Sequence, residues 1–512
     1  MENHAAVNRV PAAEARSVRT AIVADPRSGS QPFVERAVSA LVENTDPRSA
    51  DASNRGLSLK DPAPDAIDAM DAVDPVTDVP CLGCGCLCDD VAVEARSDGG
   101  RTYRNACEIG LAWFAVAASE VDAPRAALGG APADDADAVS QAIRLRSAAR
   151  APVVFGLTRT SNETVREALA LADRLRARVI LNRTRRDLDR VAAFQNVGRI
   201  GATLGEVKNR SDVVVFWGCD PATTHPRHFE RYSANPRGRF IPEGRPGRTL
   251  ITIDDRPTPT ATLSDLVLPL PPDRDRDLAG VLVRALRTGD ADFGRLNLLA
   301  EGSAELLARL RGARHGAVFY QSRASEGTRS RLAWEGVSAL VRALNEHSRF
   351  VLLGLGSPAN VAGAEAVMTW QAGYPQGVDF APGFPTALDE TATLDGVLAS
   401  RGADLLIVVA DDWPDGLSES ARAFLDEIPT VVVAPNATVR VGPVPAVALN
   451  SSRGWADETG TVTRVDGVVL PLRPYLAPRF PSARWWLRAL LDGAVRSTTS
   501  AATNVAIGDF SA

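Results

Sequence analysis

The feature that most constrains the fold of this chain is a series of short runs rich in Val, Ile and Leu, which alternate with helical patterns from residue 150 onward. The runs that predict buried strands are 152–157, 179–181, 212–217, 249–253, 350–355, 404–410 and 430–434. Strands that are apolar on both faces are typical of parallel sheets that helices cover on both sides. The sequence therefore predicts an α/β fold with parallel sheets.

The length of the chain predicts that this fold has several structural parts. A chain of 512 residues exceeds what one hydrophobic core can serve, so we expect two or three packed lobes. The predicted parts are a disordered N-terminal extension (1–76), a cysteine-rich subdomain (77–120), the α/β core lobes (121–440), a small C-terminal β segment (441–480) and a C-terminal helix and tail (481–512). Within the β segment, 460–473 predicts two strands around a turn at Asp466-Gly467.

Charge and hydropathy exclude some classes of function. The net charge of −6 argues against non-specific binding to nucleic acid. No apolar run reaches the length of about 18 residues that a membrane-spanning helix needs. The N-terminus shows no signal-peptide pattern, so we expect a cytoplasmic protein.

Four cysteines predict a metal site in the cysteine-rich subdomain. Cys81, Cys84 and Cys88 form a C-x₂-C-x₃-C run, and Cys107 follows after 18 further residues. Four thiolates at short spacing complete the coordination of a [4Fe–4S] cluster. A structural zinc site also uses four cysteines, but usually as two C-x₂-C pairs, and a knuckle without metal is the third interpretation. Cys86 lies inside the run, where it could replace a neighbouring ligand.

Polar residues and glycines follow several predicted strands, at the edge where α/β proteins bind ligands. The candidate ligand-binding residues are Gly218, Asp220, His225, Arg227 and His228 after the strand at 212–217, Asp254 after 249–253, and Asn360 after 350–355. The sequence Asp-Asp-Trp-Pro at 411–414 follows a fourth strand. Each stretch alone has a structural interpretation, because Gly and Pro end strands and acidic residues cap helices. Together they predict one shared ligand crevice, whereas Gly354-x-Gly356 is only a partial dinucleotide motif.

A set of further strings occurs in order between about residue 78 and residue 475. They are CLGC-x₃-CDD at 81–90, NAC-x₂-G at 105–110, TLGEVKNR at 203–210, WG at 217–218, HPRH at 225–228, RY at 231–232, NV-x-GA at 360–364, W-x₂-GYP at 370–375, GFP at 383–385 and GTV-x-R-x-DG at 460–467. In these strings the chain resembles the B subunit of formylmethanofuran dehydrogenase, a branch of the molybdopterin oxidoreductases.

The resemblance implies a multi-lobed fold of the molybdopterin-oxidoreductase type. In that family, the B subunit carries one [4Fe–4S] cluster beside a tungsten- or molybdenum-bound bis-pterin, and the metal centre interconverts CO₂ and formate. By this resemblance the four cysteines map onto the cluster ligands, and the polar residues at the strand ends map onto the pterin crevice.

The sequence departs from the family at the redox metal. The family's metal ligand is a cysteine or selenocysteine in a Cys-His-Gly-Pro string upstream of the TLGE motif. Here 182–190 reads NRTRRDLDR, and no cysteine lies between Cys107 and Cys219. Arginine cannot deprotonate to bind a metal, and Asp187 and Asp189 offer only oxygen to a soft metal that favours thiolate. The lysine that often follows the family's fourth cluster cysteine is also missing, so we expect a cluster but no tungsto- or molybdopterin.

This pattern resembles the B subunit of the bacterial formyltransferase/hydrolase complex, in which the redox metal is lost. That complex serves tetrahydromethanopterin-linked oxidation of formaldehyde to formate. The resemblance implies an amidohydrolase (A), a formyltransferase (D) and a C-type subunit as partners, through which a methanofuran-type carrier acts. We therefore expect a redox-silent scaffold subunit of an enzyme complex, without catalytic residues of its own. The alternative is an active tungsten or molybdenum formylmethanofuran dehydrogenase subunit.

Overall fold

Two sheets organise the chain, and the smaller sheet is inserted into the larger one along the sequence. The computed structural model describes residues 74–97, 100–118, 122–296, 300–325, 327–389, 393–409, 416–437 and 443–493. The larger sheet takes its strands from 126–181 and again from 377–450, and the smaller sheet takes its strands from 213–353. The predicted α/β fold is therefore confirmed, with one lobe built on each sheet.

The strands are β1 (Val76–Val79), β2 (Val91–Ala95), β3 (Arg101–Arg104), β4 (Ala126–Leu128), β5 (Ala131–Ala133), β6 (Pro152–Gly156), β7 (Arg178–Leu181), β8 (Val213–Trp217), β9 (Thr249–Ile253), β10 (Leu266–Leu268), β11 (His315–Tyr320), β12 (Arg349–Leu353), β13 (Gly377–Asp379), β14 (Thr386–Ala387), β15 (Leu405–Val409), β16 (Thr430–Ala434), β17 (Val447–Asn450), β18 (Thr461–Thr463) and β19 (Val469–Pro471).

The α-helices are α1 (Glu108–Ala118), α2 (Asp135–Ala148), α3 (Asn162–Leu175), α4 (Arg185–Val197), α5 (Leu204–Arg210), α6 (Pro221–Thr224), α7 (Pro259–Thr262), α8 (Asp275–Thr288), α9 (Ala300–Gly312), α10 (Thr328–Leu344), α11 (Val361–Ala372), α12 (Leu394–Ala399), α13 (Glu419–Leu425) and α14 (Ala483–Asp492). A short π-helix spans Phe229–Ser233. Of the helices in these described ranges, none is both long and apolar enough to cross a lipid bilayer.

The larger sheet has nine strands in the order β14-β13-β7-β6-β15-β16-β17-β4-β5. Its five central strands, β7, β6, β15, β16 and β17, are parallel, as the sequence predicts. The pairs at the two edges are antiparallel, so the sheet is mixed rather than purely parallel. These edge strands have two or three residues each, and a hairpin turn at Gly129-Gly130, both with positive φ, joins β4 to β5.

The smaller sheet has five parallel strands in the order β10-β9-β8-β11-β12. Successive side chains of a strand point to opposite faces, and both faces of this sheet are buried. Val213, Val215 and Trp217 pack with the apolar side chains of helices α8, α9 and α10. Val214 and Phe216 pack with the cysteine-rich segment on the other face. The cysteine subdomain therefore shares the cover of this face with helix α5 and the short π-helix.

The cysteine subdomain consists of the antiparallel sheet β1-β2-β3 followed by helix α1. Its first strand begins at Val76, which the sequence assigned to the end of the N-terminal extension. Residues 1–73 of that predicted extension lie outside the described residues.

The predicted boundary at residue 440 is wrong. Strand β17 lies beyond it, yet β17 is fully buried and pairs in parallel with β16 in the larger sheet. Within 441–480, the predicted hairpin around Asp466-Gly467 is confirmed as β18 and β19. Helix α14 confirms the predicted C-terminal helix, and residues 494–512 lie outside the described part.

Helix α3 begins one residue later than a capping box at 160–163 predicts. The N-cap is Ser161, whose hydroxyl accepts a hydrogen bond from the Thr164 amide. Glu163 does not close a box, because its carboxylate accepts from the Thr461 amide (2.8 Å) and the Thr461 hydroxyl (2.7 Å). The acidic residue thus fixes hairpin β18–β19 to the start of the helix.

A buried carboxylate, Asp275, joins the centre of the smaller sheet to helix α8. It accepts hydrogen bonds from Trp217 Nε1 (2.8 Å) and from the Tyr320 hydroxyl (2.9 Å), at the ends of β8 and β11. Burial raises the pKa of Asp275 from its ordinary 3.8 to about 6, although the two donors work in the opposite direction. The folded protein therefore retains this proton at a pH where the unfolded chain has lost it.

We expect Asp275→Asn to flatten the dependence of stability on pH. Because the folded pKa lies above the unfolded one, the wild-type protein loses stability as pH rises from 4 through about 6, by ~3 kcal/mol in total. Urea unfolding at pH 5 and pH 7.5 measures this slope, with the exposed Asp277→Asn as the control variant. An Asp275→Asn protein that keeps the wild-type slope would contradict the assignment.

Candidate functional site

The four predicted ligand cysteines lie together under one loop. Cys81, Cys84 and Cys88 are buried, and Cys107, just before helix α1, is partly exposed. The loop closes on itself, because the Cys81 amide donates to the Cys88 carbonyl (2.8 Å) and the Leu87 amide donates to the Cys84 carbonyl (3.2 Å). All four are free thiols. The structure thus brings the separated Cys107 back to the C-x₂-C-x₃-C run.

The surroundings of these four cysteines disfavour the thiolate form unless a cation lies beside it. Burial raises the pKa of Cys81, Cys88 and Cys107, and the charges of neighbouring cysteines raise it further. For Cys84, the largest cause of the raised pKa is a hydrogen bond with the Cys86 side chain, followed by burial. The fifth thiol therefore interacts with one of the four ligand candidates. Thiolates in such a place need a cation, such as a metal ion or an iron–sulfur core.

Gly110 lies against the sulfurs of two of these cysteines. A Cβ atom at Gly110 would lie 3.0 Å from Cys81 Sγ and 3.9 Å from Cys107 Sγ, so a larger residue would crowd the two sulfurs. In the described ranges, no group of three or more His, Cys, Asp or Glu side chains is arranged around a point that could hold a single metal ion.

Arg227 ties together the two chain segments that carry the cysteines. Its guanidinium forms a bidentate pair with Asp90, at 2.7 and 2.8 Å, and also donates to the Asn105 carbonyl. Burial acts to raise the pKa of Asp90, but the hydrogen bond from Arg227 and the charges of Arg231 and Arg227 hold it below its usual value. Arg231 donates to Asp89 at 2.6 Å. Arg227 was expected at the pterin crevice, and these contacts place it beside the cysteines.

The cysteine loop also packs on the loop that follows strand β12. Leu82 accepts a hydrogen bond at its carbonyl from the Ala359 amide (2.8 Å), and a Cβ at Gly85 would lie 2.1 Å from the Leu355 carbonyl oxygen. Gly356 has φ +79° and approaches Val465 of the hairpin as well as Gly85. The second glycine of the partial dinucleotide motif, Gly356, is therefore explained by close packing.

Three of the predicted crevice residues lie together at the carboxyl ends of β8 and β9. Asp220 accepts from the Thr260 amide at 3.0 Å, and Asp254 pairs with Arg323 at 3.0 Å and with Arg256 at 3.2 Å. Burial opposes the effect, but these arginines hold the pKa of Asp254 below its usual value. A Cβ at Gly218 would lie 2.3 Å from the Gln321 carbonyl oxygen. Other protein groups therefore already form hydrogen bonds and ion pairs with the polar residues at this edge of the sheet.

The other predicted crevice residues are buried elsewhere. His225 and His228 are uncharged at neutral pH, because burial lowers the pKa of His225 to about 4 and that of His228 to about 3. His228 Nδ1 lies 2.8 Å from the Ser233 hydroxyl, and its ring packs edge-on against Phe319. Asn360 donates to the Thr160 carbonyl and accepts from the Thr463 amide, each at 2.8 Å. It therefore links the loop after β6 to the hairpin, while residues 411–414 lie outside the described residues.

The arginine-rich stretch 182–190 forms an ion-pair network. The Arg183 side chain is 2% exposed and pairs with Glu365 of helix α11 and with Asp187 (3.5 Å). Asp187 also accepts from the amide and hydroxyl of Thr184, which caps helix α4. Burial acts to raise the pKa of Asp187, but the charges of Arg183 and Arg190 hold it below its usual value. The Asp187 carboxylate is therefore ionised and is bound by protein groups.

The remaining oxygen and sulfur candidates near this stretch also have protein partners. Asp189 pairs with Arg185 at 3.2 Å and accepts from the Gly327 amide at 2.7 Å. The Cys219 thiol donates to the Phe319 carbonyl (3.4 Å) within the apolar core. Sequence reasoning missed Glu365, which lies 182 residues from Arg183 and had no motif to single it out.

Comparisons with known proteins give the family. No family model matches the chain. The B subunit of the tungsten-containing formylmethanofuran dehydrogenase 2 of Methanococcus maripaludis is 30% identical over 403 residues, which cover 77% of this chain and 93% of the relative. The protein of the same name from Methanocaldococcus jannaschii is 30% identical over 410 residues, which cover 79% of this chain and 94% of that relative.

Solved structures share the fold. A chain of the formyltransferase/hydrolase complex FhcABCD from Methylorubrum extorquens, solved with methylofuran, matches with a TM-score of 0.59 and 22% identity over 72% of this chain and 98% of that one. Acetylene hydratase from Pelobacter acetylenicus matches with a TM-score of 0.53 and 11% identity over 81% of this chain and 69% of that one. The described architecture is thus shared with both of these proteins. By its identity and coverage against the curated relatives, the chain belongs to the B-subunit family of formylmethanofuran dehydrogenases.

Proposed function

We propose that this chain is the B-type subunit of a formyltransferase/hydrolase complex in tetrahydromethanopterin-linked C1 metabolism, and that it holds its partner subunits without doing redox chemistry itself. Membership of the B-subunit family and the fold shared with a chain of the FhcABCD complex support this assignment. The expected partners are an amidohydrolase, a formyltransferase and a C-type subunit, and a methanofuran-type carrier acts through them.

The main support for the proposal is the set of paired arginines and aspartates at 182–190. By resemblance this stretch corresponds to the string that supplies the metal thiolate in dehydrogenases. Here it contains the buried Arg183, and both nearby aspartates are paired with arginines. A fixed cation repels a metal ion and offers no lone pair to bind one. These residues do not fit a tungsten- or molybdenum-bound pterin, so we assign no step to such a group.

The cysteine site does fit a [4Fe–4S] cluster, with Cys81, Cys84, Cys88 and Cys107 as the proposed ligands. A bound cluster supplies electron transfer where a redox partner is within reach, and folding free energy in any case. The cysteine subdomain covers one face of the smaller sheet, so a cluster there would stabilise that lobe. We propose this structural role for it.

A second candidate function is that of an active dehydrogenase subunit. The retained cysteines favour it, and so do the curated relatives, whose names describe tungsten-containing dehydrogenases. It requires another metal ligand than the family's thiolate. The metal content of the purified assembly separates the two candidates.

We expect the intact complex to contain iron, at about four atoms per B-type chain, and neither tungsten nor molybdenum in stoichiometric amount. Inductively coupled plasma mass spectrometry on the anaerobically purified complex gives both values. Hydrolysis of a formylated carrier to formate should proceed in the same preparation, without reduction of CO₂. One tungsten or molybdenum atom per chain would overturn the redox-silent assignment in favour of the dehydrogenase.

Replacing Cys84 by Ala should remove the iron and the visible absorbance of the cluster, and lower the melting temperature of the chain. Formyl hydrolysis by the assembled complex should persist in part, because the reacting groups belong to the partner subunits. Cys219→Ala is the matched control, since this buried thiol lies outside the proposed ligand set. If Cys84→Ala abolished hydrolysis while the complex assembled normally, the cysteine site would have a catalytic role.

Arg183→Ala should destabilise the protein by about 3 kcal/mol, because Glu365 and Asp187 would lose the buried cation between them and keep only Arg190 nearby. Arg287→Ala is the control, since Arg287 and its partner Glu346 are both exposed, and it should cost about 1 kcal/mol or less. Urea unfolding compares the two variants. Equal losses for both would show that the network at 182–190 does not hold the lobe together.

A further inference from the structure

A basic patch surrounds an exposed phenylalanine at the end of helix α5. Phe240 is 48% exposed, and the guanidinium carbons of Arg210 and Arg239 lie 4.5 and 5.7 Å from the centre of its ring. Arg237 is exposed in the same loop. We call Arg210, Arg237, Arg239 and Phe240 the Phe240 patch.

The patch is held in place by backbone contacts. Gly238 and Ile241 exchange two backbone hydrogen bonds (3.0 and 3.2 Å), so Arg239 and Phe240 form the tip of a tight turn. Both tip amides donate to Asn209, one to its side-chain oxygen at 3.0 Å and one to its carbonyl at 2.9 Å. A Cβ at Gly238 would lie 2.2 Å from the Lys208 carbonyl oxygen. A surface fixed in this way loses little conformational entropy when it binds a partner.

The positive charge of the patch is not neutralised by its neighbours. None of the carboxylates in the described ranges forms an ion pair with Arg210, Arg237 or Arg239, whereas Arg245 in the next turn pairs with Asp265 at 2.8 Å. Glu243, also exposed in this loop, makes no ion pair with the three arginines. The patch thus presents two cations over an apolar ring and a third in the same loop, on a chain whose net charge is −6.

The patch also includes the last residue, Arg210, of the string TLGEVKNR at 203–210, which lies outside the cysteine site. In TLGEVKNR, the side chains of Leu204 and Val207 are buried in the core, and Asn209 holds the turn. Arg210 ends the string, is exposed, and stacks on Phe240. Internal packing therefore explains the first part of the string and leaves Arg210 to an external contact.

We propose that the Phe240 patch docks an acidic surface of a neighbouring protein subunit in the assembly of this chain, which rests on the proposed function. Arginine and aromatic side chains that are fixed before binding are the residues that carry most of the energy in protein interfaces. Three unpaired cations select an acidic partner by charge complementarity. The negative net charge of the chain favours a protein partner over nucleic acid.

The test replaces the patch arginines in the full-length chain, expressed with an affinity tag in its own host, by Arg210→Gln, Arg237→Gln and Arg239→Gln. We expect the triple variant to bring down about tenfold less of the formyltransferase- and hydrolase-type subunits than the wild type does, measured by quantitative mass spectrometry. Higher salt should weaken the wild-type assembly in the same direction. The matched control is Arg284→Gln, Arg287→Gln and Arg309→Gln, which removes three exposed arginines that each pair within the chain.

Phe240→Ala is the second variant, because it leaves the charges in place, and it should also lower the yield of partner subunits. Melting temperatures and iron content establish that each variant is folded. If the triple variant and Phe240→Ala assemble like the wild type, the docking proposal is wrong and the proposed function stands. A wild-type chain that brings down no such subunits would overturn both. Nucleic acid that copurifies with the wild type and is lost from the triple variant would assign the patch to nucleic acid instead.

Discussion

One buried ion pair, between Arg183 and Glu365, determines what the stretch 182–190 can bind. Taking a guanidinium out of water costs several kcal/mol, and only carboxylates held close to it offset that cost. Glu365 on helix α11 and Asp187 on helix α4 supply them. The stretch 182–190, which we propose corresponds to the family's metal-thiolate string, is thus part of the internal charge balance of the larger lobe. Replacing the network with a metal site would require the cation to go and the carboxylates to find other partners.

The cysteine subdomain has a comparable place in the smaller lobe. Its loop covers part of one face of the smaller sheet and packs through Leu82 and Gly85 on the chain after β12. Arg227 joins Asp90 to Asn105 by hydrogen bonds. A substitution at the cysteines would therefore directly disturb the packing in the core of this lobe. Under the proposed function, this coupling would give a reason to retain a cluster in a redox-silent subunit, because metal binding contributes folding free energy.

Much of the fold follows from local patterns in the sequence. The run at 213–217 is apolar at every position and could only be a buried strand. Strand β11 (His315–Tyr320) lies in the middle of the same sheet but begins with His-Gly, so its apolar part was too short to single out. The boundary at residue 440 was wrong because the place of β17 is decided by its pairing with β16, which the local sequence pattern does not show.

The chemistry of the site was predictable only in part. The spacing of the cysteines, together with the return of Cys107, was informative because thiolates at short intervals have few structural uses. The shared crevice was not predictable, since residues at strand ends satisfy one another through contacts that no periodicity encodes, as Asp254 and Arg323 do. The same holds for Arg183, whose partner is distant in sequence.

The most direct test of the central claim is an experimental density map of the intact complex at a resolution that separates side chains. If the subunit is redox-silent, we expect side-chain density for Arg183 that is continuous with Glu365 and Asp187. Metal density should lie only among the four cysteines, as an iron–sulfur cluster. A heavy-atom peak with pterin density beside 182–190 would contradict it.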